Sequence, residues 1–364
     1  ELGFVDLVKA LSENSFNTEQ LKKHGKKIIN TCYIYDGQLI IGSIERIKDI
    51  NIVPSPYLTG ALDQYFQLPL IPMIETTRGC PFTCTFCADG LAIKSKINRY
   101  ETQRTREELQ YIAKNINKVD ELIVTDLNFG MYKQDMETAK EIASIQKNYN
   151  YPVSVDAPAG KNMPKRIINI ASIMKGWSMG GVIQSSDPGV LKAIKRSNIS
   201  IDAYQDLIDF GNKQKANRTY TEIILGLPDD TKEKHFKSLR LGVEKNVNNL
   251  RMHQAMLLIG TEMASKKDRE KYGLITKFRT LPGNVGNYNI LNKEHPIAEV
   301  EEIVIGSNTL SVDDYIECRI MNLIIKTFYN NNIFNEIHAM QRAMGISPFD
   351  CLLYIKEHEE MYTE

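Results

Sequence analysis

The 364-residue sequence predicts an α/β fold: a partial (β/α)6 TIM-like barrel, with an N-terminal linker segment before it and a mostly helical C-terminal extension after it. Three observations lead there. Short apolar runs recur at fairly even intervals downstream of Pro69, amphipathic stretches of helical length separate them, and neither end of the chain continues that rhythm. Alternation of strand and helix implies parallel pairing through right-handed crossovers.

The candidate strands are 71–76, 121–125, 153–156, 180–184, 218–225 and 251–258. Between them, 105–117, 133–147, 164–175 and 232–245 carry apolar residues at helical spacing. In folds of this kind the reactive groups sit at the C-terminal ends of the strands. Residues 54–60, with two prolines and a glycine, mark the boundary between linker and barrel. The expected organisation is therefore 1–68 as linker, 69–262 as barrel core and 263–364 as extension.

Composition excludes little but orients the reading. Forty-five basic residues balance 45 acidic ones, which argues against a nucleic-acid partner gripped mainly through its phosphates. No secretory leader or membrane-spanning run is visible, so a cytoplasmic protein is expected.

The chemistry concentrates directly after the first strand, where Cys80, Cys84 and Cys87 stand in C-x3-C-x2-C spacing. Three thiolates and no fourth suit an iron-sulfur cluster of four irons with one iron left open to a ligand. A structural zinc site wants four ligands, and Cys32, Cys318 and Cys351 are far away in sequence and unpaired there. A ferredoxin-type carrier would add a fourth cysteine followed by proline, and three thiols in one loop argue against disulfides. The rival of another class is a noncatalytic iron-sulfur or zinc-binding interaction module.

The run 78–87, with Pro81 and Phe82 after the first cysteine and Phe86 before the last, resembles the cluster motif of radical S-adenosylmethionine (radical SAM) enzymes. Within that superfamily it is most similar to the branch linked to a cobalamin-binding domain. The resemblance spans roughly the whole chain and is most specific over 57–263. It implies a [4Fe-4S] cluster on the three cysteines, S-adenosylmethionine chelating the open iron, and reductive cleavage to a 5'-deoxyadenosyl radical that attacks an unactivated carbon. Flavodoxin or ferredoxin is implied as electron donor and a small molecule as substrate. Methyl transfer is implied if cobalamin takes part.

Further site residues follow from the same resemblance, strand end by strand end. After the second strand, Asp126, Asn128 and Phe129 match the segment that binds the SAM amino group, although an Asx-type turn explains them equally well. After the fourth, Gln184, Ser185 and Ser186 match the region facing the SAM ribose and carboxylate, in a stretch that runs on through Leu191, Lys192 and Arg196. Asp187 and Pro188 there read as a helix N-cap and first-turn pair. On the fifth strand, Gly226 matches the position whose backbone packs against adenine, and a plain turn capped by Asp230 or Thr231 is the alternative. Phe86 belongs with this cofactor-binding set. On the sixth strand only one of the sets Met252/Gln254/Met256 and Arg251/His253/Ala255 can face inward, and His253 is expected to make a structural hydrogen bond.

At the N-terminus, residues 1–10 resemble the stretch that closes the cobalamin domain, and the start at Glu1 implies a longer parent chain. The corrin-ligating pattern D-x-H-x-x-G is absent, since His24 lacks the required aspartate and glycine. Beyond Gly260 the pattern reads as helical, with Ser311 as a cap, Asp313 and Asp314 in a first turn, and Cys318 and Cys351 as buried apolar thiols. The glycine-containing stretch 281–288 reads as a surface loop, with a lid over the barrel mouth as the alternative.

Overall fold

The computed structural model describes residues 1–214, 219–330, 333–358 and 360. Two helices, α1 (Leu2–Glu13) and α2 (Thr18–Lys23), and a hairpin of β1 (Cys32–Tyr35) and β2 (Gln38–Ile41) open the chain. Then come β3 (Met73–Ile74), β4 (Thr77–Arg78), β5 (Asn98–Arg99), α3 (Thr102–Asn115), β6 (Glu121–Val124), α4 (Asp135–Tyr149), β7 (Ser154–Asp156), α5 (Pro164–Ile173) and β8 (Met179–Gly180). The second half continues with α6 (Pro188–Ala193), α7 (Ile201–Lys213), β9 (Thr219–Leu225), α8 (Lys232–Glu244) and β10 (Asn249–Gln254). The chain ends in α9 (Lys266–Tyr272), β11 (Ile275–Ile290), β12 (Lys293–Gly306), α10 (Val312–Phe328), α11 (Asn335–Ala343) and α12 (Pro348–Glu357).

Six of these strands are the expected parallel set. They form two three-stranded ladders in chain order, β3-β6-β7 and β8-β9-β10, linked by a parallel bridge between Val155 and Trp177. The fifth expected strand included Arg218, which lies outside the described residues. The sixth starts two residues earlier than its apolar run, because Asn249 and Leu250 already pair with Tyr220 and Thr221.

Helices lie where their apolar faces demand burial. In α3, Leu109, Ile112 and Ala113 share one face and pack with Leu122, Val124 and Val155 from the strands. In α8, Thr231 accepts a hydrogen bond from the Lys234 N–H as N-cap, and Leu239 and Val243 meet Ile223 and Leu250. The C-terminal helices α10 and α12 cover this second core with Met321, Ile325 and Phe349. Asn330 closes the edge of β10, accepting from the Leu250 N–H at 2.9 Å and donating to its carbonyl at 2.7 Å.

The extension departs from expectation at residues 275–306. They form a long antiparallel hairpin, and 281–288 lie within β11 as strand rather than loop. Its β-branched residues sit mostly exposed, so they lacked the one-sided apolar pattern that identifies a strand in sequence. Its base is fixed to the end of β10: the Leu257 N–H donates to the Glu302 carbonyl and the Val304 N–H to that of Ala255, both at 2.9 Å. Arg269 from α9 grips the Glu302 carboxylate with two parallel bonds of 2.6 Å.

Candidate active site at the strand ends

The cysteine loop leaves β4 through Gly79, whose φ of +107° and whose clearance forbid a side chain: an added Cβ would stand 2.4 Å from the Lys96 carbonyl oxygen. Backbone bonds then hold the loop in place. The Cys80 N–H donates to the Lys94 carbonyl at 3.0 Å, that of Thr85 to Ile194 at 3.2 Å, and that of Met263 to the Thr85 carbonyl at 2.9 Å. The loop folds back on itself through Cys87 N–H to Cys84 carbonyl and Gly90 N–H to Cys87 carbonyl. Cys80 and Cys84 are buried and Cys87 half-buried, and none of the three is in a disulfide.

The other strand ends converge on this loop. After β6, the Asn128 amide nitrogen lies 3.4 Å from the Cys80 sulfur. After β7, the Lys161 ammonium lies 3.7 Å from the Cys84 sulfur. After β8, buried Gln184 adopts φ +59° while its backbone bridges to β9, accepting from Ile224 and donating to Glu222. Next to Cys87, a cleft of about 560 Å³ opens between Phe86, Gln184, Ile224, Met252 and the hairpin residues Arg279 and Glu301.

Several of the expected contact residues also make bonds or packing inside the protein. Asp126 accepts from the backbone N–H groups of Thr76 and Thr77 at 2.7 and 3.0 Å and from the Thr76 hydroxyl, tying β6 to the start of the cysteine loop. Burial pushes its carboxyl up to about 6, with the threonine bonds pulling it partly back. Phe129 is fully buried edge-on against Trp177, with ring centres 5.4 Å apart. Ser185 accepts from the Asp187 N–H, and the Ser186 hydroxyl pairs with that of Ser238 at 3.1 Å. Gly226 has φ +84° and the backbone nearest its missing side chain is that of Val304 in the hairpin. Asp187 is the N-cap of α6, accepting from the Val190 N–H at 3.0 Å. His253 is exposed at the cleft and makes no hydrogen bond among the described residues, contrary to its expected structural role.

Two residues near the thiols had little or no sequence signal. Lys161 follows a strand end for which no site residue was expected, and Arg196 stood out only as part of a longer stretch. Arg196 is 8 % exposed, and its pKa is lowered by burial against the raising influence of Cys84, Glu222 and Cys87.

The donor set fits a thiolate-held group with a polar ligand beside it. Asn128 Oδ1, Gln184 Oε1, Thr85 Oγ1 and Arg196 Nη1 are buried without a hydrogen-bond partner in the protein. Four such atoms around one cysteine loop are costly unless something polar meets them. Among the described residues no three His, Cys, Asp or Glu side chains are gathered closely enough to hold a single metal ion. A zinc ion with Zn–S bonds of about 2.3 Å needs its sulfurs nearly in contact. A cube of four irons holds its cysteines farther apart.

Residues 74–241 match the Radical SAM superfamily. The chain is 30 % identical over 295 residues to the cobalamin-dependent radical SAM methyltransferase TokK of Streptomyces tokunonensis, covering 75 % of this chain and 40 % of that protein. It is also 30 % identical over 296 residues to the 2-(S-pantetheinyl)-carbapenam-3-carboxylate methyltransferase of Streptantibioticus cattleyicolor, covering 75 % and 41 % respectively. The chain thus spans about two fifths of the length of these curated relatives. In fold it is similar to the radical S-adenosylmethionine methyltransferase TsrM from Kitasatospora setae, with a TM-score of 0.54 at 14 % identity, covering 81 % of this chain and 56 % of that one. The family match runs from β3 into α8 and encloses all three cysteines of the loop, so the strand-and-helix core of the chain is similar to the Radical SAM superfamily.

Proposed function

We propose that this chain is the radical-generating part of a cobalamin-dependent radical SAM methyltransferase that acts on an unactivated carbon of a small molecule. The observation that carries the reading is the loop of Cys80, Cys84 and Cys87 ringed by the unpartnered polar atoms of Thr85, Asn128, Gln184 and Arg196. The names of the curated relatives support methyl transfer and cobalamin. The D-x-H-x-x-G pattern does not occur in these 364 residues, so cobalamin enters on the relatives alone.

When bound, the cluster and S-adenosylmethionine supply a 5'-deoxyadenosyl radical, and cobalamin supplies a methyl carrier. The chain's residues divide the remaining work. Cys80, Cys84 and Cys87 hold the metal, and the Asn128 amide steadies the Cys80 sulfur. Gln184, with its free carbonyl, and the apolar wall of Phe86 and Ile224 receive the polar and adenine parts of S-adenosylmethionine beside Cys87. Gly226 and Ser185 to Ser186 shape that wall through the backbone. Substrate enters the cleft between β10 and the hairpin, where Met252 and Leu258 offer apolar contact and the protein's task is orientation and exclusion of water.

We read the two ladders as one partial (β/α)6 barrel, with 1–68 as linker, 69–262 as core and 263–364 as extension. A flavodoxin or ferredoxin is the electron donor in this reading. The free thiols suit a reducing, cytoplasmic setting. Among the described residues no helix is long and apolar enough to cross a membrane.

The test is anaerobic reconstitution with iron and sulfide, reduction by dithionite, and assay for 5'-deoxyadenosine from S-adenosylmethionine. The expected product exceeds that of a Cys84→Ala control by at least an order of magnitude. Equal product in both, or one zinc and no iron per chain, would replace the enzyme with a noncatalytic metal-binding module.

A further inference from the structure

Two cations from successive strand ends converge on one of the three thiols. The Lys161 ammonium, 3.7 Å from the Cys84 sulfur, also sits 4.9 Å above the ring of Phe82, so the loop itself holds it in place. Arg196 is buried and fixed on two sides: its Nε donates to Asn198 Oδ1 at 3.0 Å and its Nη2 to the Val182 carbonyl. Its Nη1 is buried with no partner, and the Cys84 thiol is the foremost of the acidic groups it faces. A buried guanidinium without a counter-charge is strongly unfavourable, so Arg196 calls for negative charge at the cysteine loop. The other two cysteines are treated differently. Cys80 receives a neutral amide from Asn128, and Cys87 receives no side-chain hydrogen bond from the described residues.

We propose that Lys161 and Arg196 are positioning residues that place positive charge beside Cys84 and raise the reduction potential of the cluster. The inference rests on the function proposed above. One electron enters the cluster and no bond breaks, so the negative charge of the three-thiolate site grows by one. Cations beside a ligand sulfur favour the more negative form, which makes reduction easier.

The test is a redox titration of reconstituted protein without S-adenosylmethionine, read from the electron paramagnetic resonance signal of the reduced cluster. Omitting that ligand removes any effect of either cation on its binding. Lys161→Gln and Arg196→Gln are each expected to lower the reduced-to-oxidised ratio at a fixed poise, Arg196→Gln by roughly tenfold, equivalent to about 59 mV for one electron. Arg196→Lys should restore most of that loss, and Lys237→Gln, on an exposed lysine of α8, should leave the ratio unchanged. Unchanged ratios in both glutamine variants at full iron content overturn the inference while the function stands, even if S-adenosylmethionine binding is weakened. If Arg196→Gln takes up no iron, Lys161→Gln decides alone. A wild-type chain that takes up no iron overturns both the function and the inference.

Discussion

Asn128 and Cys80, 48 residues apart in sequence, meet with the amide nitrogen 3.4 Å from the sulfur. The contact exists because Asp126, two residues earlier, is clamped to Thr76 and Thr77 at the entrance to the cysteine loop. A carboxylate sets the register and an amide delivers the donor. Replacing Asn128 by leucine keeps the volume and removes the N–H. Iron retained against a chelator is expected to fall roughly 10-fold, the scale of losing a bond that orients a metal ligand. Retention equal to wild type would show that the amide does not act on the thiolate.

Gly90 turns the chain against the loop it ends. An added Cβ would lie 2.3 Å from the Cys84 carbonyl oxygen, a backbone atom that cannot rotate away. Gly90→Ala is expected to displace Cys84 and abolish stoichiometric iron uptake, at a local cost of about 1–3 kcal/mol. Iron analysis alongside far-ultraviolet circular dichroism separates this from global unfolding, since the helices around both cores do not touch Gly90's missing side chain.

Asp230 is buried at the end of β9, where its carboxylate accepts from the N–H groups of Gly226 and Thr231, and burial pushes it up to about 7. With a folded pKa above the unfolded value of 3.8, the protonated form is favoured by folding. Its stability contribution is therefore full below pH 3.8 and is lost as pH rises to about 7. Asp230→Asn removes that dependence. Between pH 5 and 8, denaturant unfolding should show the variant gaining on the wild type by about 3 kcal/mol. A constant difference across that range would mean the carboxyl is ionised throughout.

His235 titrates in the opposite sense. It is fully buried against Asn322 at 3.0 Å, and burial lowers its pKa from 6.5 to about 4. The neutral ring is what folding selects, so its contribution is present above pH 6.5 and is lost as pH falls toward 4. His235→Gln should flatten the acid side of the stability profile by up to about 3 kcal/mol. An acid limb as steep as in wild type would assign the loss to other groups.

Cys318 is fully buried and its thiol is pushed up to about 12, chiefly by desolvation, whereas Cys32 is exposed. Under native conditions at pH 8, iodoacetamide should label Cys32 and leave Cys318 untouched. The triple variant Cys32→Ala, Cys318→Ala, Cys351→Ala should keep full iron content. Loss of iron in it would place a ligand outside the loop.

The parallel strands were legible because each is a short apolar run closed by a turn, and the caps Asp187, Thr231 and Ser311 were legible because capping chemistry is local. The cysteine spacing announced the site for the same reason. What the sequence hid was non-local or two-sided. Helix α7 lay in a region where the alternation was read only through strands, and β11 and β12 expose both faces for most of their length. Asp126 and Phe129 follow a strand end, and only the tertiary structure reveals that one also clamps Thr76 and Thr77 and the other packs on Trp177. Lys161 carries no motif, and its meaning arises from the sulfur it meets.

The two ladders of parallel strands are joined by backbone bonds and by packing, since Trp177, Met179 and Leu207 of the second half sit in the first core. Between β7 and β8 the Val155 N–H bonds to the Gly176 carbonyl at 3.0 Å and the Trp177 indole N–H to that of Ala157 at 2.9 Å. Asn128 and Lys161 belong to the first ladder, Gln184 and Arg196 to the second. The cysteine loop, which follows β4 and is bonded to Ile194 and Met263 of the second half, is a suture between the two halves. A group held by residues from both sides would tighten that join, so its removal is expected to loosen both halves together.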